Sequence, residues 1–456
     1  MELIDIVRLI NDLLWGKVLI FFLCGTGLYF TLKLRFVQLR KFGAAVRQTF
    51  GGISFKGEKA GTDGMSSFQS LATAIAAQVG TGNLAGAATA IAAGGPGAIF
   101  WMWISAFFGM GTIFSEAVLA QTYKVRGEDG QVTGGPAYYI SRGLGSRKLA
   151  GFFSVTIILA LGLIGNMVQS NSIADAFHTA FNVPAIYVGI AIAFFSALIF
   201  FGGIGRIASF TEKVVPVMAL LYLIGGAYIL AVNFTDIFPS FKMIIQGAFN
   251  PRAATGGVIG AGMKEAVRYG VARGLFSNEA GMGSTPHAHA VAKVRKPAEQ
   301  GLVAIIGVFI DTFIVLTMTA LVIISTGVLD GNTTGIALTQ AAFANGMGGL
   351  GLPFIAVCLL FFAFSTIVAW YFFGEANVRY LVGTKGLLPY RILVMIFIIM
   401  GSTMRVALVW ELADTFNALM VIPNLIALLG LSKVVSMALE DYEEDGSLKV
   451  KDLCEE

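Results

Sequence analysis

The strongest constraint in this sequence is its succession of long apolar stretches, near 16–34, 67–92, 97–123, 149–175, 183–202, 212–233, 255–290, 300–328, 351–381, 388–403 and 407–432. A bilayer core about 30 Å thick needs about 20 predominantly apolar residues per helix, and most of these stretches reach that length. Composition agrees, since 56% of the 456 residues are hydrophobic, 13% are charged and the mean hydropathy is +0.78. Soluble domains carry charge at about 25% of positions, so a soluble protein is excluded. The expected architecture is an all-α membrane protein with eleven transmembrane helices in one polytopic domain over residues 1–432. An acidic, solvated cytoplasmic tail at 433–456 is expected to follow, with Glu440, Asp441, Glu443, Glu444 and Asp445.

The net charge of +4 says less than where Lys and Arg lie. Connection 35–66 holds Arg35, Arg40, Lys41, Arg47, Lys56 and Lys59, and connection 124–148 holds Lys124, Arg126, Arg142, Arg147 and Lys148. Lys293, Arg295 and Lys296 follow in 287–299, and Lys385 and Arg391 in 382–391. The alternate connections are nearly bare, with Lys242 and Arg252 in 234–254, no basic residue in 329–350 and Arg405 alone between the last two stretches. The positive-inside rule then predicts a multi-pass protein of the cell (plasma) membrane with its N-terminus outside and its C-terminus in the cytoplasm. Charged Glu2, Asp5, Arg8 and Asp12 precede the first apolar run, which argues for a retained span rather than a cleaved signal. Cys24, Cys358 and Cys454 are scattered without metal-knuckle spacing, and so few charges suggest no nucleic-acid partner.

The second and seventh stretches are interrupted by polar, Gly-containing sequence: Gln78-Val-Gly-Thr-Gly-Asn83 in one, Phe276-Ser-Asn-Glu-Ala-Gly-Met-Gly283 in the other. With the extra helix at 16–34 set aside, the remaining ten divide into two groups of five, repeat one at about 67–233 and repeat two at about 255–432. Each opens with an interrupted helix carrying Gly-x-Gly, and the two enter the bilayer from opposite sides. That is the pattern of a 5+5 inverted repeat, in which paired broken helices point to the binding site of a secondary transporter. Glycines serve helix packing in many membrane proteins, but packing leaves the polar residues clustered with them unexplained. An unwound backbone in hydrocarbon needs partners from protein, water or ligand. Free amides at the restarting half favour a carboxylate and free carbonyls at the ending half favour cations, so a zwitterionic amino acid matches both.

Other signals are weaker. Gly80-x-Gly82-x-x-x-Gly86 misses the dinucleotide spacing, no Walker A pattern occurs, and no nucleophile with an adjacent base lies at bilayer depth, so an enzyme is not expected. His287 and His289 are two apart and fall on different helix faces, which disfavours a metal site. Asn233-Phe-Thr235 and Asn332-Thr-Thr334 match glycosylation triplets that are common by chance.

Ala77-Gln-Val-Gly-Thr-Gly-Asn83 resembles the first broken helix of the leucine-transporter (LeuT) fold. The fuller phrases Gly80-Thr-Gly-Asn-Leu-Ala-Gly86, Gly94-Gly-Pro-Gly-Ala-Ile-Phe-Trp-Met-Trp103, Gly134-Gly-Pro-Ala-Tyr-Tyr139 and Gly274-Leu-Phe-Ser-Asn-Glu-Ala-Gly281 resemble the alanine or glycine:cation symporter family. The resemblance covers roughly 15 to 430 and implies sodium-coupled uptake of alanine or glycine through a LeuT-like core with one additional N-terminal helix. Carried over by motif, substrate contacts are expected at Gln78, Thr81, Gly82 and Asn83 in the first break and at Phe276, Ser277, Glu279 and Met282 in the second. Asn166, Gln169 and Asn171 are the polar residues of the third core helix, and either the substrate or a neighbouring helix can satisfy them.

For the coupling ion, Phe362, Ser365 and Thr366 lie at i, i+3 and i+4, so a carbonyl and two hydroxyls can face one point. The resemblance places a Na⁺ between them and the carbonyls of Ala76 and Val79, although Ser and Thr also back-bond to their own helix. Trp370, one turn beyond Thr366, is placed to cap the pocket. Glu279 at bilayer depth needs a partner or a proton: a substrate ammonium, a cation, or a structural pair such as Arg273. The Arg268 and Arg273 side chains are also candidates for an external gate. No organic cofactor is expected. Proton coupling through Glu279, and a transporter-derived amino acid sensor, are the alternatives the sequence leaves open.

Overall fold

The computed structural model describes residues 3–51, 64–127, 130–249 and 262–444. Glu2, Lys56, Lys59, Arg252, Asp445, Cys454 and the opening of the stretch 255–290 lie outside the described residues. Among the described residues, seven helical runs are long and apolar enough to cross a membrane: Asp5–Lys33, Gly97–Thr122, Arg147–Phe181, Gly203–Val232, Pro297–Ser325, Gly335–Thr403 and Ala407–Gly430. The difference from eleven expected stretches has three physical sources. The two interrupted helices are split into short halves, the stretch 183–202 forms a shorter apolar helix at Ala185–Phe200, and the stretches 351–381 and 388–403 are joined in one run by the short turn at Gly383–Gly386, although left-handed Gly383 (φ 69°) ends the first of the two helices. Large apolar side chains such as Phe21, Phe22, Phe194, Phe195, Leu220 and Ile224 face outward, as a surface in contact with hydrocarbon requires.

The elements that matter for the site are α1 (Leu3–Leu13), α2 (Leu19–Lys33), α3 (Ser67–Gln78), α4 (Ala87–Gly94), α5 (Gly97–Thr122), α6 (Arg147–Ile157), α7 (Asn166–Phe181), α8 (Ala185–Phe200) and α9 (Gly203–Val232). They continue with α10 (Met263–Asn278), α11 (Pro286–Ala290), α12 (Pro297–Val308), α13 (Thr317–Ser325), α14 (Gly351–Val382), α15 (Leu387–Thr403), α16 (Val406–Gly430) and α17 (Ser432–Glu443). A capping box of Ser66 and Gln69 starts α3. The core helices pack α5 against α10 and α12, and α7 against α14 and α15. π-helical turns at Ile158–Gly165 and Phe309–Leu316 join α6 to α7 and α12 to α13. Such turns widen the backbone spiral and recur at functional sites.

The segment expected to be a solvated tail instead forms α17, docked on the protein with Val435, Ala438 and Leu439 buried. Their i, i+3, i+4 spacing makes an apolar stripe, and ion pairs from Lys41 and Arg40 to Glu443 and from Lys296 to Asp441 fix the polar side. Residues 445–456 lie outside the described residues.

Candidate functional site

The two interruptions form one structure. Helix α3 ends at Gln78, the chain bends through Val79 and Gly80, and a π-helical turn at Gly82–Gly86 leads into α4. Helix α10 ends at Asn278, followed by left-handed Glu279 (φ 58°) and by Gly281 and Gly283 at φ 85° and 81°. The breaks touch: the Gln78 amide donates to the Asn278 carbonyl at 2.7 Å, and a Cβ on Gly82 would stand 3.0 Å from Ser277 Cα. Gly80 is equally constrained, because a Cβ there would stand 2.4 Å from Thr366 Oγ1. Glycine at both positions follows from close approach of neighbouring helices.

Asn83 turns back to accept the Gly80 amide at 3.0 Å. Its own amide donates to Asp311 Oδ1 at 2.6 Å. Asp311 lies in the π-helical turn after α12 and also meets Ser277 Oγ at 3.0 and 3.2 Å and Thr312 Oγ1 at 2.7 Å. One fully buried carboxylate therefore ties the first break to the second. A second, Glu116 of α5, accepts the backbone amides of Gly281 and Gly283, each at 2.9 Å, and the Asn424 amide at 2.7 Å. Asn424 of α16 in turn accepts the Tyr139 hydroxyl and donates to the Gly281 carbonyl at 2.9 Å. Amides that helix geometry leaves unpaired at the second break are thus held by a charge-bearing group.

Glu279 is fully buried and accepts the Trp370 indole N–H at 2.6 Å and the Ser284 hydroxyl at 2.5 Å. Neither partner carries a charge. Arg273, one of the partners open in the sequence, is instead held bidentately by Asp414 of α16 at 3.1 and 2.6 Å, and Arg268 pairs with Asp12. Trp370 meets the edge of Phe276 at 6.2 Å, and Phe276 packs on Trp410 at 5.3 Å. The Trp370 ring fills the space over Gly165, where a Cβ would come within 2.6 Å of it. Met282 is buried within the second break, its amide on the Glu279 carbonyl at 3.1 Å.

The expected cation residues meet across two helices. Thr366 Oγ1 donates to the Ala76 carbonyl at 2.8 Å and to the Phe362 carbonyl at 3.0 Å, and Ser365 Oγ donates to Phe362 at 2.9 Å. Val79 is the bend residue just beyond this contact. Ala76, Phe362, Ser365 and Thr366 together present carbonyl and hydroxyl oxygens, the donor set that a hard monovalent cation takes.

The third core helix divides. Gln169 Oε1 reaches the Thr81 amide at 3.4 Å and so joins the first break. Asn166 bonds back to the Gly162 carbonyl at 2.9 Å on its own helix. Asn171 does not join the cluster: its amide binds the carbonyls of Gly401 and Met404 at 2.7 and 2.8 Å, tying α7 to the end of α15. It lines a cavity of about 460 Å³ with Asp175, Arg273, Trp410 and Asp414. The two histidines are packed: His287 lies between Phe153 and Phe373 and bonds Ser284 and Asn377, and His289 bonds Gln300 at 2.8 Å. Gln78 Oε1 and Thr81 Oγ1 are buried in the first break without a hydrogen-bond partner. Buried polar atoms are rarely left so.

Asp311 and Glu116 were not among the expected site residues. The signal for both is a lone acid inside an otherwise apolar stretch, which is costly unless it has work at bilayer depth.

The sodium:alanine symporter family model matches residues 1–454. The chain belongs to the sodium:alanine symporter family. It is therefore a multi-pass membrane transporter and not an enzyme. Its relatives include the sodium/alanine symporter AgcS of Methanococcus maripaludis, 43% identical with 97% of this chain and 98% of that protein covered. The amino-acid carrier protein AlsT of Bacillus subtilis is 42% identical over 96% of this chain and 92% of its own. The probable sodium/glutamine symporter GlnT of the same organism is 43% identical over 96% and 90%. A crystal structure of the Eremococcus coleocola manganese transporter shares the fold, with a TM-score of 0.54 at 17% identity over 85% of this chain and 82% of that one.

Proposed function

We propose that this member of the sodium:alanine symporter family couples Na⁺ entry to uptake of small zwitterionic amino acids, alanine and glycine, by alternating access. The observation that carries the reading is the pair of interlocked helix breaks, where Gln78 Oε1 and Thr81 Oγ1 have no partner and the hydroxyl of Thr366 lies on the Ala76 carbonyl. The proposed core is LeuT-like: two five-helix repeats at about 67–233 and 255–432, preceded by the extra helix at 16–34, with the N-terminus outside and the tail cytoplasmic. The substrate carboxylate would take amides of the first break near Thr81 and Gly82, and its ammonium would face Glu279. Na⁺ would sit among Ala76, Val79, Phe362, Ser365 and Thr366. One charge crossing 100 mV is worth about 2.3 kcal/mol, and a tenfold Na⁺ gradient adds about 1.4 kcal/mol. Together they support several-hundred-fold accumulation.

Uptake of labelled alanine into proteoliposomes is the test. An inward Na⁺ gradient is expected to drive it, and dissipating the pH gradient is expected to leave it intact. A second reading, proton coupling, is favoured by two buried carboxylates, Glu279 and Asp311, which accept hydrogen bonds from the uncharged Ser284, Trp370, Asn83, Ser277 and Thr312. Uptake that ignores Na⁺ and collapses with the pH gradient would select it. Thr366→Ala removes one hard oxygen and is expected to raise the half-saturating Na⁺ for alanine uptake while leaving both breaks intact. An unchanged value at normal membrane abundance would remove Thr366 from the cation site.

Substrate size is expected to be set by Trp370 and Met282. Forcing extra methylenes into a packed site costs about 1–3 kcal/mol, so leucine is excluded while a hydrogen or methyl side chain fits. In competition assays, Trp370→Ala and Met282→Ala are expected to improve leucine relative to alanine by at least about fivefold. Trp370→Ala also frees a Glu279 oxygen and should lower the overall rate. If both variants reject leucine as the parent does, the size limit lies elsewhere.

A further inference from the structure

The first helical run is a poor simple anchor at its outer end. Its first half, α1, carries Asp5, Arg8, Asn11 and Asp12, and a π-helical turn at Leu14–Val18 separates it from α2. Helix α2 is fixed to the scaffold: Gly27 lies so close to α5 that a Cβ would stand 2.9 Å from Phe108 Cβ. Helix α1 is attached elsewhere. The Asn11 amide donates to the Glu411 carbonyl and to Glu411 Oε2, both at 2.8 Å, and Asn11 Oδ1 accepts the Thr415 hydroxyl at 2.7 Å. Trp15 donates to the Asp414 carbonyl at 3.0 Å, and Arg8 pairs with Glu411 at 3.2 Å.

All five contacts grip one turn of α16, residues 411–415. The carboxylate of that same turn, on Asp414, holds Arg273 of α10, and Trp410 one turn earlier packs on Phe276 and lies under the Arg273 guanidinium at 5.4 Å. Asp12 of α1 reaches α10 as well, through Arg268. Three helices therefore close a triangle: α1 to α16 through Asn11, α1 to α10 through Asp12, and α10 to α16 through Arg273 and Asp414. A polar cavity of about 360 Å³ lies inside it, lined by Arg8, Asn11, Trp15, Arg268, Arg273 and Glu411 among others. Access to water at the ion pair lowers the cost of breaking it, as a gate requires.

We infer that α1 is a brace of the outer gate, in which Asn11 is a positioning residue that holds the 411–415 turn of α16 against α10 and so favours the closed outer mouth. The Arg8 and Asp12 pairs are exposed and contribute little by themselves. Asn11 is 6% exposed and uses both ends of its amide, so its loss leaves buried groups unpaired. The π-helical turn below it allows α1 to move with α16 while α2 stays on α5. The inference rests on the transporter reading and its orientation, and the main readout below does not require transport.

Hydrogen–deuterium exchange of the purified full chain, with Na⁺ and alanine present, is measured on Asn11→Ala and Asn11→Asp. Residues 406–416 are expected to exchange at least about fivefold faster in both, with the segment 67–78 unchanged. Asn11→Asp should have the larger effect, because the isosteric carboxylate faces that of Glu411, whereas a residue that merely fills space would tolerate it. The maximal uptake rate should fall while the half-saturating Na⁺ is kept. Trp15→Phe keeps an aromatic ring in place while removing the indole N–H that bonds Asp414, and decides the matter by the same readout if the Asn11 variants do not assemble. Parental exchange of 406–416 in the assembled variants would overturn the brace. Faster exchange in the Asn11 variants of a parent that itself fails to transport would overturn the transport reading and leave the brace standing.

Discussion

Asp311→Ala is expected to lower initial alanine uptake by about two orders of magnitude at equal reconstituted protein. The substitution leaves the Asn83 amide, the Ser277 hydroxyl and the Thr312 hydroxyl without their common acceptor. Asn83 keeps a bond to the Asp311 backbone carbonyl at 3.2 Å, but each buried hydroxyl so orphaned costs about 1–3 kcal/mol, and two at about 1.5 kcal/mol already reach about 3 kcal/mol, roughly a hundredfold. The loss falls on the geometry of both breaks at once, since Asn83 belongs to the first and Ser277 to the second. Asp311→Asn keeps the shape but offers a donor where donors already point, so it is expected to recover little. The assay is uptake into proteoliposomes, with gel filtration and melting to confirm assembly. Uptake within twofold of the parent would mean that the Asp311 cluster is packing and not part of the site.

Glu116→Ala is expected to abolish measurable alanine binding and to lower the melting temperature by several degrees. The amides of Gly281 and Gly283 lie where no helical acceptor exists, and Glu116 is the acceptor they have. Removing it also strips a partner from Asn424, and with it the tie between α5, the second break and α16. Glu116→Gln retains one carbonyl oxygen and should fall between the two. Equilibrium binding of labelled alanine and a thermal melt of the same preparation check both parts. A variant that melts early yet binds alanine as the parent does would show that the second break keeps its shape without this carboxylate.

These two acids mark the boundary of what was legible in the sequence. The positions of both interruptions were legible, because Gly-x-Gly beside Gln78, Asn83 or Glu279 in an apolar stretch has few structural uses. The approach of Thr366 to the first break was foreshadowed by the spacing of Phe362, Ser365 and Thr366 together with the resemblance. Partners far apart in sequence were not legible. Arg273 and Asp414 are 141 residues apart, and nothing local announces the pair. Asn171 illustrates the same limit, since a polar residue on an apolar helix reveals its cost but not its direction, and here it serves the end of α15. The segment after Ser432 was misread because its acidic residues outweighed the short stripe of Val435, Ala438 and Leu439 that docks it. The stretches 351–381 and 388–403 were read as two helices, and the structure ends α14 at Val382, where left-handed Gly383 (φ 69°) and a short turn at Gly383–Gly386 precede α15.

The central claim is that one site, built from both breaks, takes a small amino acid and Na⁺ together. Linkage makes this directly measurable, because two ligands that share a site's free energy must raise each other's affinity by the same factor. Alanine binding to the purified protein is measured at equilibrium over a range of NaCl concentrations, with choline chloride holding ionic strength constant. The account predicts that alanine affinity rises at least about tenfold from low to saturating Na⁺, and that alanine raises Na⁺ affinity by the same factor. Alanine affinity that is flat in Na⁺ would contradict it.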